Sequence, residues 1–202
     1  MIDVGPSTEH EMVLAFIRAE LDSARFGAHY QNCFAQLKER GVDRQMLVEA
    51  PSLLSAQQNA IRREILKAVR GYGAGQFLFA GFPIDVTWRR VALEQSDLPK
   101  LKYAKCPPWV ELSRGTRLVI EGATNIGSDT PAEDAAVNIR AVAEDLKRGK
   151  RYAELIGVDG QSGDILLMEG HTRATAYAAT QLPDRIDCLV GSSPSMSRWA
   201  FY

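Results

Sequence analysis

The chain has 202 residues, enough to bury a hydrophobic core without disulfide bonds or structural metals. It carries 24 basic and 25 acidic residues, and 46% of its residues are hydrophobic, as in ordinary globular proteins. Proteins that bind nucleic acid through bulk charge are basic, so this balance argues against nucleic acid as a partner.

The three cysteines, Cys33, Cys106 and Cys188, are far apart and form no C-x-x-C pair. This pattern favours buried thiols in a reducing compartment over a disulfide framework or a zinc site, so no metal ligands are predicted. The N-terminus lacks the basic and then apolar pattern of a signal peptide, and no apolar run approaches the roughly 20 residues that span a bilayer. We therefore expect a cytoplasmic protein with no membrane partner.

The first third of the chain has helical periodicity. Thr8 and Glu11 have the spacing of a capping box, and apolar residues follow at intervals of three and four. Two further helices are predicted over residues 26–37 and 55–69, each followed by glycine. Residues 1–72 are therefore predicted to form a helical N-terminal segment.

The middle of the chain has a different composition. Residues 76–93 combine aromatic and β-branched residues with Gly and Pro, which favours strands and turns. Residues 118–126 are compatible with either a helix or a strand, and the pattern leaves the choice open.

The last seventy residues alternate between helix and strand signals. A helix is predicted over residues 131–149, because acidic residues begin it and basic residues end it. Two apolar runs around a Gly-rich turn predict a hairpin over 154–168, and a short helix and a strand follow. The predicted fold class is mixed α/β, with residues 73–202 as one α/β domain around a small mixed sheet.

The junction between the second hairpin strand and the following helix has the composition of an anion site. The start of a helix leaves backbone N–H groups unpaired and carries partial positive charge. Gly170 leaves room for a ligand, Thr172 can cap the helix or donate, and Arg173 can offer a bidentate fork. These residues predict a phosphate or carboxylate site, while a purely structural strand-to-helix turn explains them equally well.

The order of elements over about residues 131–190 resembles the ParB/sulfiredoxin superfamily. The residues that carry the resemblance are Glu169, Gly170, His171, Thr172 and Arg173, which open an alanine-rich helix. The resemblance implies a domain of that fold, with a nucleotide whose phosphates lie against this junction. ATP or CTP is the expected cofactor, with Mg²⁺ as its companion ion.

Three branches of that superfamily suggest different functions. ParB-like members bind and hydrolyse CTP and act on DNA, sulfiredoxins use ATP to repair an over-oxidised cysteine, and a third branch phosphorylates free serine. His171 stands where sulfiredoxins carry their catalytic cysteine, and the chain ends soon after its last predicted strand, where ParB-like DNA binders continue into a helix-turn-helix. Both departures disfavour these two branches.

Phosphoryl transfer to a hydroxyl would need a carboxylate as general base. Glu169 adjoins the motif, and Glu111 and Glu121 flank a basic segment. The predicted catalytic residues are His171, Glu169 and Glu121.

Two other polar segments are candidates for ligand contacts. Arg114, Thr116 and Arg117 surround a glycine and would suit a polyphosphate, although a solvated turn is the alternative. Near the C-terminus, Ser192, Ser193 and Arg198 could donate to a ligand, or the serines could form a turn that lets the terminal aromatic residues pack onto the core.

We therefore expect a protein that binds a nucleotide or a small phosphorylated ligand, as a phosphotransferase or a nucleotide hydrolase acting on a small molecule. The alternative is a non-catalytic adaptor that binds a protein partner, or forms a homodimer, through its N-terminal helices. DNA-associated regulation is a distant third.

Overall fold

The fold is mixed α/β, as predicted, with one six-stranded mixed sheet. A computed structural model describes residues 1–127, 133–160 and 162–202. The strands follow the spatial order β1-β2-β6-β4-β5-β3. Their bounds are Ile2–Ser7 (β1), Thr87–Glu94 (β2), Leu101–Tyr103 (β3), Leu155–Asp159 (β4), Ile165–Glu169 (β5) and Arg185–Ser192 (β6).

The α-helices of the described ranges are Glu9–Glu20 (α1), Gly27–Glu39 (α2), Ala56–Arg70 (α3), Pro107–Leu112 (α4), Val119–Thr124 (α5), Glu133–Lys147 (α6) and His171–Thr180 (α7). Short helical turns of other types occupy Gln45–Glu49, Phe77–Phe79, Gln95–Lys100 and Met196–Arg198. Within those ranges, no helix has the length and apolar character needed to cross a membrane.

The helix ends of the N-terminal segment follow the local signals in the sequence. The amide of Glu11 donates to Thr8 Oγ1 at 3.2 Å and the amide of Thr8 donates to Glu11 Oε2 at 2.9 Å, so the predicted capping box is confirmed. Ser55 caps α3 by accepting from the amide of Gln58 at 3.3 Å, and Gly71 ends that helix with φ +80°. All three predicted N-terminal helices are confirmed.

Strand β1 has no counterpart in the sequence predictions. It pairs antiparallel with β2, from Ile2 opposite Ala92 to Ser7 opposite Trp88. Because it is an edge strand with mostly exposed side chains, it lacks the apolar alternation by which a strand is recognised. The first 72 residues thus contribute to the sheet, and the division of the chain at residue 72 stays a prediction.

The later elements settle what the sequence left open. Residues 119–124 are helical, and the hairpin is confirmed by antiparallel pairing of β4 with β5, with Val158 opposite Leu166. Helix α6 occupies Glu133–Lys147, within the predicted 131–149, while residues 131 and 132 lie outside the described ranges.

The sheet contains two parallel strand pairs that run in opposite directions. Strand β3 is parallel to β5, and β4 is parallel to β6. Because β4 is antiparallel to β5, the carboxyl ends of the two pairs lie at opposite edges of the sheet. Ligand sites of α/β proteins commonly lie outside the carboxyl ends of parallel strands, so each edge is a candidate.

The sheet separates two hydrophobic clusters. Leu166 and Met168 face the N-terminal helices, in a cluster with Phe16 and Leu66. Leu167, the residue between them, faces the cluster formed with α6 and α7. Successive strand residues point to opposite faces, so a single sheet supports both layers.

Candidate functional site

The Gly170 junction lies at the carboxyl end of β5, and its backbone requires glycine. Gly170 has φ +96° and ψ +19° and directly precedes α7. A Cβ atom there would lie 2.5 Å from Leu155 Cδ2 and 3.0 Å from Arg173 Nη2. The Arg173 guanidinium therefore folds back toward the glycine, where an added side chain would displace Leu155 and crowd Arg173.

The first turn of α7 presents unpaired backbone donors. The earliest backbone bond of this helix runs from the Ala174 amide to the Gly170 carbonyl, at 2.8 Å. Within the described ranges, the amides of His171, Thr172 and Arg173 have no hydrogen-bond acceptor. Three N–H groups at the positive end of a helix dipole are suited to an anion.

His171 is held in an aromatic stack. Its ring lies 5.1 Å from that of Trp109 and 5.9 Å from that of Tyr103, centroid to centroid, with interplanar angles of 22° and 16°. Its Nε2 accepts from the amide of Ala104 at 3.3 Å. An acceptor at Nε2 assigns the proton of the neutral ring to Nδ1, which is left as the available donor.

The imidazole is neutral at physiological pH. Burial lowers the pKa of His171 to about 3, and the charges of Arg70, Arg25, Arg173 and Arg117 add to the effect, in decreasing order. His171 therefore carries no positive charge at this pH, and its ring keeps one N–H group, at Nδ1.

The same arginines show that the N-terminal segment contributes to this region. Arg70 ends α3 and Arg25 lies between α1 and α2, yet both charges act on His171. Arg70, Arg25 and Arg117 also act on the thiol of Cys106, whose pKa is raised by burial in spite of them. The junction thus lies where positive charges from both halves of the chain converge.

Two of the arginines lie beside a carboxyl group. Arg173 Nη2 lies 3.3 Å from Glu169 Oε1, and Arg70 Nε lies 3.4 Å from Glu20 Oε1. The Arg70 contact meets the distance for an ion pair but not the geometry of a hydrogen bond, because its Nε is buried without an acceptor. The Arg70 guanidinium also lies over the Phe26 ring, 4.0 Å from its centroid.

Glu20 is a buried carboxyl group within this cluster. It accepts a hydrogen bond from Tyr30 Oη at 2.9 Å, and its side chain is only 4% exposed. Burial and then the charge of Glu169 raise the pKa of Glu20 to about 8, so the group is largely protonated at neutral pH. Within the described ranges, four arginine charges act on His171, and Glu169 is the ionised carboxylate that contacts one of these arginines.

The predicted basic segment is only partly near the junction. Arg117 acts on His171, but its guanidinium donates to the carbonyls of Tyr103, Tyr202 and Phe201, at 2.9, 3.2 and 3.3 Å. Its N–H groups thus hold the C-terminus against the end of β3.

The other two residues of the segment belong to an exposed turn. The Thr116 hydroxyl donates to the Ser113 carbonyl at 2.9 Å, and Arg114 is exposed with φ +50°. No contact in the described ranges brings Arg114 or Thr116 to the junction.

The predicted general bases differ in position. Glu169 contacts Arg173 at the junction, whereas Glu121 is exposed on α5, a helix that packs against α7. No contact in the described residues joins Glu121 to His171 or Arg173. Glu111 is exposed on α4.

Glu20, Arg25 and Arg70 are neighbours of the motif that the sequence did not predict. They precede it by 100 residues or more, and only tertiary packing brings them together. The available signal was weak: Glu20 is a charged residue at the end of a helix whose other buried positions are apolar, whereas the buried positions of the helix that Arg70 ends include Asn59 and Arg62.

The serine-rich C-terminal segment lies at the other edge of the sheet. Trp199 is buried and its Nε1 donates to the Leu78 carbonyl at 2.6 Å, which confirms the prediction that the terminal aromatics pack onto the core. Ser192 ends β6 and Ser193 follows it, and Arg198 is exposed nearby.

Comparison of the chain with protein-family models, with curated proteins and with solved structures found no match. The resemblance to the ParB/sulfiredoxin superfamily therefore rests on the junction residues and the order of elements, and it stays a prediction.

Proposed function

We propose that the protein binds a nucleotide or a small phosphorylated ligand at the Gly170 junction. The observation that carries the proposal is the meeting of two features at one place. Three unpaired amides begin α7, and four arginine charges act on the histidine of the same turn. Backbone donors at a helix start and guanidinium groups are the usual protein contacts of phosphate.

The ligand-binding groups differ in what they would supply. The amides of residues 171–173 would donate to phosphate oxygens. Arg173 and Arg25 would supply charge, because Arg173 has one carboxylate contact at 3.3 Å and Arg25 has no ion pair in the described ranges. The neutral His171 would donate through Nδ1. Arg117 would act by its charge alone, since its N–H groups already have carbonyl acceptors.

ATP or CTP, accompanied by Mg²⁺, remains the proposed ligand. The donor set fits phosphate, and Glu169 is the carboxylate of the junction that would share the coordination of the ion. The ion would supply charge neutralisation on the phosphates. If the protein transfers or hydrolyses a phosphoryl group, the arginines would stabilise the transferring group, and Glu169 is the base candidate that lies at the site.

The proposal can be tested with a thermal-shift panel of ATP, ADP, CTP, GTP and pyrophosphate, each with and without Mg²⁺. A ligand that binds only the folded state raises the melting temperature. Arg25→Ala is the most informative variant, because this exposed side chain can be removed without opening the core. We expect Arg173→Ala to weaken binding by roughly 1.5 to 3 kcal/mol, the value of a charge-assisted contact, and the solvent-screened Arg25→Ala to weaken it by roughly 0.5 to 1 kcal/mol.

Arg148→Ala is the matched control, since Arg148 is exposed just after the end of α6 and its guanidinium lies 3.5 Å from Asp145. It should bind the nucleotide as the native protein does. If no member of the panel raises the melting temperature, or if Arg25→Ala and Arg173→Ala bind as tightly as the control, the assignment is wrong.

A groove between α2 and α3 favours the alternative, a non-catalytic adaptor or a homodimer. Its volume is about 560 Å³. Its apolar lining includes Cys33, Leu37, Val42, Ile61 and Ile65. An adaptor should ignore nucleotides, and a homodimer should show a mass above 22.3 kDa that rises with concentration in light scattering.

A further inference from the structure

A second polar cavity lies at the edge of the sheet opposite to the Gly170 junction. Strand β4 connects the two places: Leu155 packs against Gly170, and Asp159 lines the cavity. At about 3.3 Å per residue, the five residues of β4 separate the two ends by about 13 Å. The cavity is therefore distinct from the proposed phosphate site.

The cavity is built at the carboxyl ends of the parallel strands β4 and β6, and its volume is about 390 Å³. That is within the usual range for sites that hold small organic molecules. The residues before and at the start of β2 and the C-terminal turn complete its wall. Its lining residues are Asp85, Thr87, Asp159, Gly160, Ser192, Ser193, Pro194, Met196, Ser197 and Tyr202.

The charge of this lining is negative. Asp85 and Asp159 are its charged residues, and no lysine, arginine or histidine is among the described residues that line it. Arg89 forms an ion pair with Asp159. Asp85 has no ion pair within the described ranges, so its charge remains uncompensated.

The hydroxyl groups of the cavity face a ligand mainly as acceptors. The Ser192 hydroxyl donates to Asp159, and the Ser193 hydroxyl donates to Asp85 at 2.8 Å. The Thr87 hydroxyl donates to the Ser192 carbonyl at 3.3 Å. Each of these groups has used its one proton inside the protein. The Ser193 oxygen also accepts from the amide of Ser195 at 3.0 Å, and the lone pairs that remain on these oxygens favour a ligand with many donors.

We propose that this cavity binds a small hydroxylated primary amine, of the class of amino sugars and amino alcohols. The ammonium group would pair with Asp85, and ammonium and hydroxyl protons would satisfy the serine and threonine oxygens. Met196, Pro194 and the ring of Tyr202 give the cavity an apolar wall for the carbon skeleton. A phosphorylated ligand is disfavoured here, since its charge has the sign of the lining.

The test is an amide NMR titration of the full chain with two matched pairs, glucosamine against glucose and ethanolamine against ethylene glycol. Glucosamine, ethanolamine or both should shift the amide signals of Asp85, Thr87, Ser192 and Ser193 saturably, while the neutral partners should not. Asp85→Asn should weaken the binding about fivefold or more, because it removes the charge and keeps the shape. Asp184→Asn, in an exposed turn before β6, is the matched control and should bind as the native protein does.

Three results would overturn the proposal: neither amine shifts these amides, the neutral partners shift them equally, or Asp85→Asn binds as tightly as Asp184→Asn. The outcome does not depend on the nucleotide experiments, because the variants used there lie at the other edge of the sheet. Melting curves of Asp85→Asn would show that the exposed substitution leaves the fold intact.

Discussion

Replacing Gly170 by alanine tests the geometry of the junction directly. An alanine at φ +96° carries the left-handed backbone cost of roughly 1 to 2 kcal/mol. Its Cβ would also lie 2.5 Å from Leu155 Cδ2, so a core side chain must move, which costs about 1 to 3 kcal/mol more. We therefore expect Gly170→Ala to lower the free energy of unfolding by about 2 to 5 kcal/mol.

Gly149→Ala separates the two contributions. Gly149 also has a left-handed backbone, with φ +81°, but a Cβ there would meet no atom within 4 Å. This control should show the backbone cost alone, and the packing cost of about 1 to 3 kcal/mol is the difference between the variants. Urea unfolding monitored by circular dichroism measures both, provided that the slope m is the same in each variant.

Equal losses of stability in the two variants would refute the close packing of Leu155 and Arg173 on Gly170. In that case glycine would be required at residue 170 only for its left-handed backbone conformation, and not for close packing. The argument that Arg173 is held in place above the helix start would then lose its basis.

Three further predictions concern the charges around the junction. Because the pKa of His171 is depressed, the unfolded chain binds a proton between about pH 6.5 and 3 that the folded chain does not. The free energy of unfolding should therefore fall as the pH is lowered through this range, by up to about 1.4 kcal/mol per pH unit from this group. A His171 ring that is protonated at pH 5 in NMR spectra would contradict this. The raised pKa of Glu20 acts in the opposite direction, because the folded chain keeps a proton that the unfolded chain releases between about pH 4.5 and 8. In urea titrations at pH 5 and pH 8, Glu20→Gln should therefore lose less stability between the two pH values than the native protein does. Equal losses in the two proteins would show that Glu20 is ionised when folded. Arg117→Ala should lower the free energy of unfolding by about 3 kcal/mol and expose the C-terminus to carboxypeptidase, because three main-chain oxygens lose a charged donor. The control Arg114→Ala, at an exposed residue, should stay within about 0.5 kcal/mol of the native protein. Equal stability of the two variants would contradict the role of Arg117.

The sequence predicted those elements whose signals are local. The capping box of Thr8 and Glu11 and the left-handed stop at Gly71 each involve neighbours in the chain, and each helix end lies where the pattern placed it. Strand β1 was missed because its stability comes from pairing with β2, 85 residues later, and not from its own composition. The six-residue helix Val119–Thr124 is too short to show a period, so its residues fitted a helix and a strand equally.

In the candidate site, too, the sequence predicted the residues that lie together in the chain and missed those that tertiary packing brings to them. The Gly170 motif was recognisable because a glycine, a short helix start and an arginine lie together in the chain. The partners of those residues could not be recognised from the sequence, since Glu20 and Arg70 reach the junction only through the packing of α1 and α3 on the sheet. For Arg117 the residue type predicted a charge that contacts a ligand, and that role stays a prediction. The sequence could not show that main-chain oxygens would occupy the N–H groups of Arg117.

The direction of β4 relative to β5 explains why one sheet has two unlike edges. Because these neighbours are antiparallel, the turn after β5 and the loop after β4 emerge at opposite ends, and the parallel partners β3 and β6 extend each edge. The first edge receives a helix start and the arginines of both halves of the chain, while the second receives Asp85, Asp159 and serine hydroxyls. At the first edge the arginines outnumber the carboxylate of Glu169, and at the second Arg89 pairs with Asp159 while Asp85 has no ion pair within the described ranges, so the ligands proposed for the two edges carry opposite charges. A ligand that bound equally well at both edges would therefore contradict the electrostatic basis of both proposals.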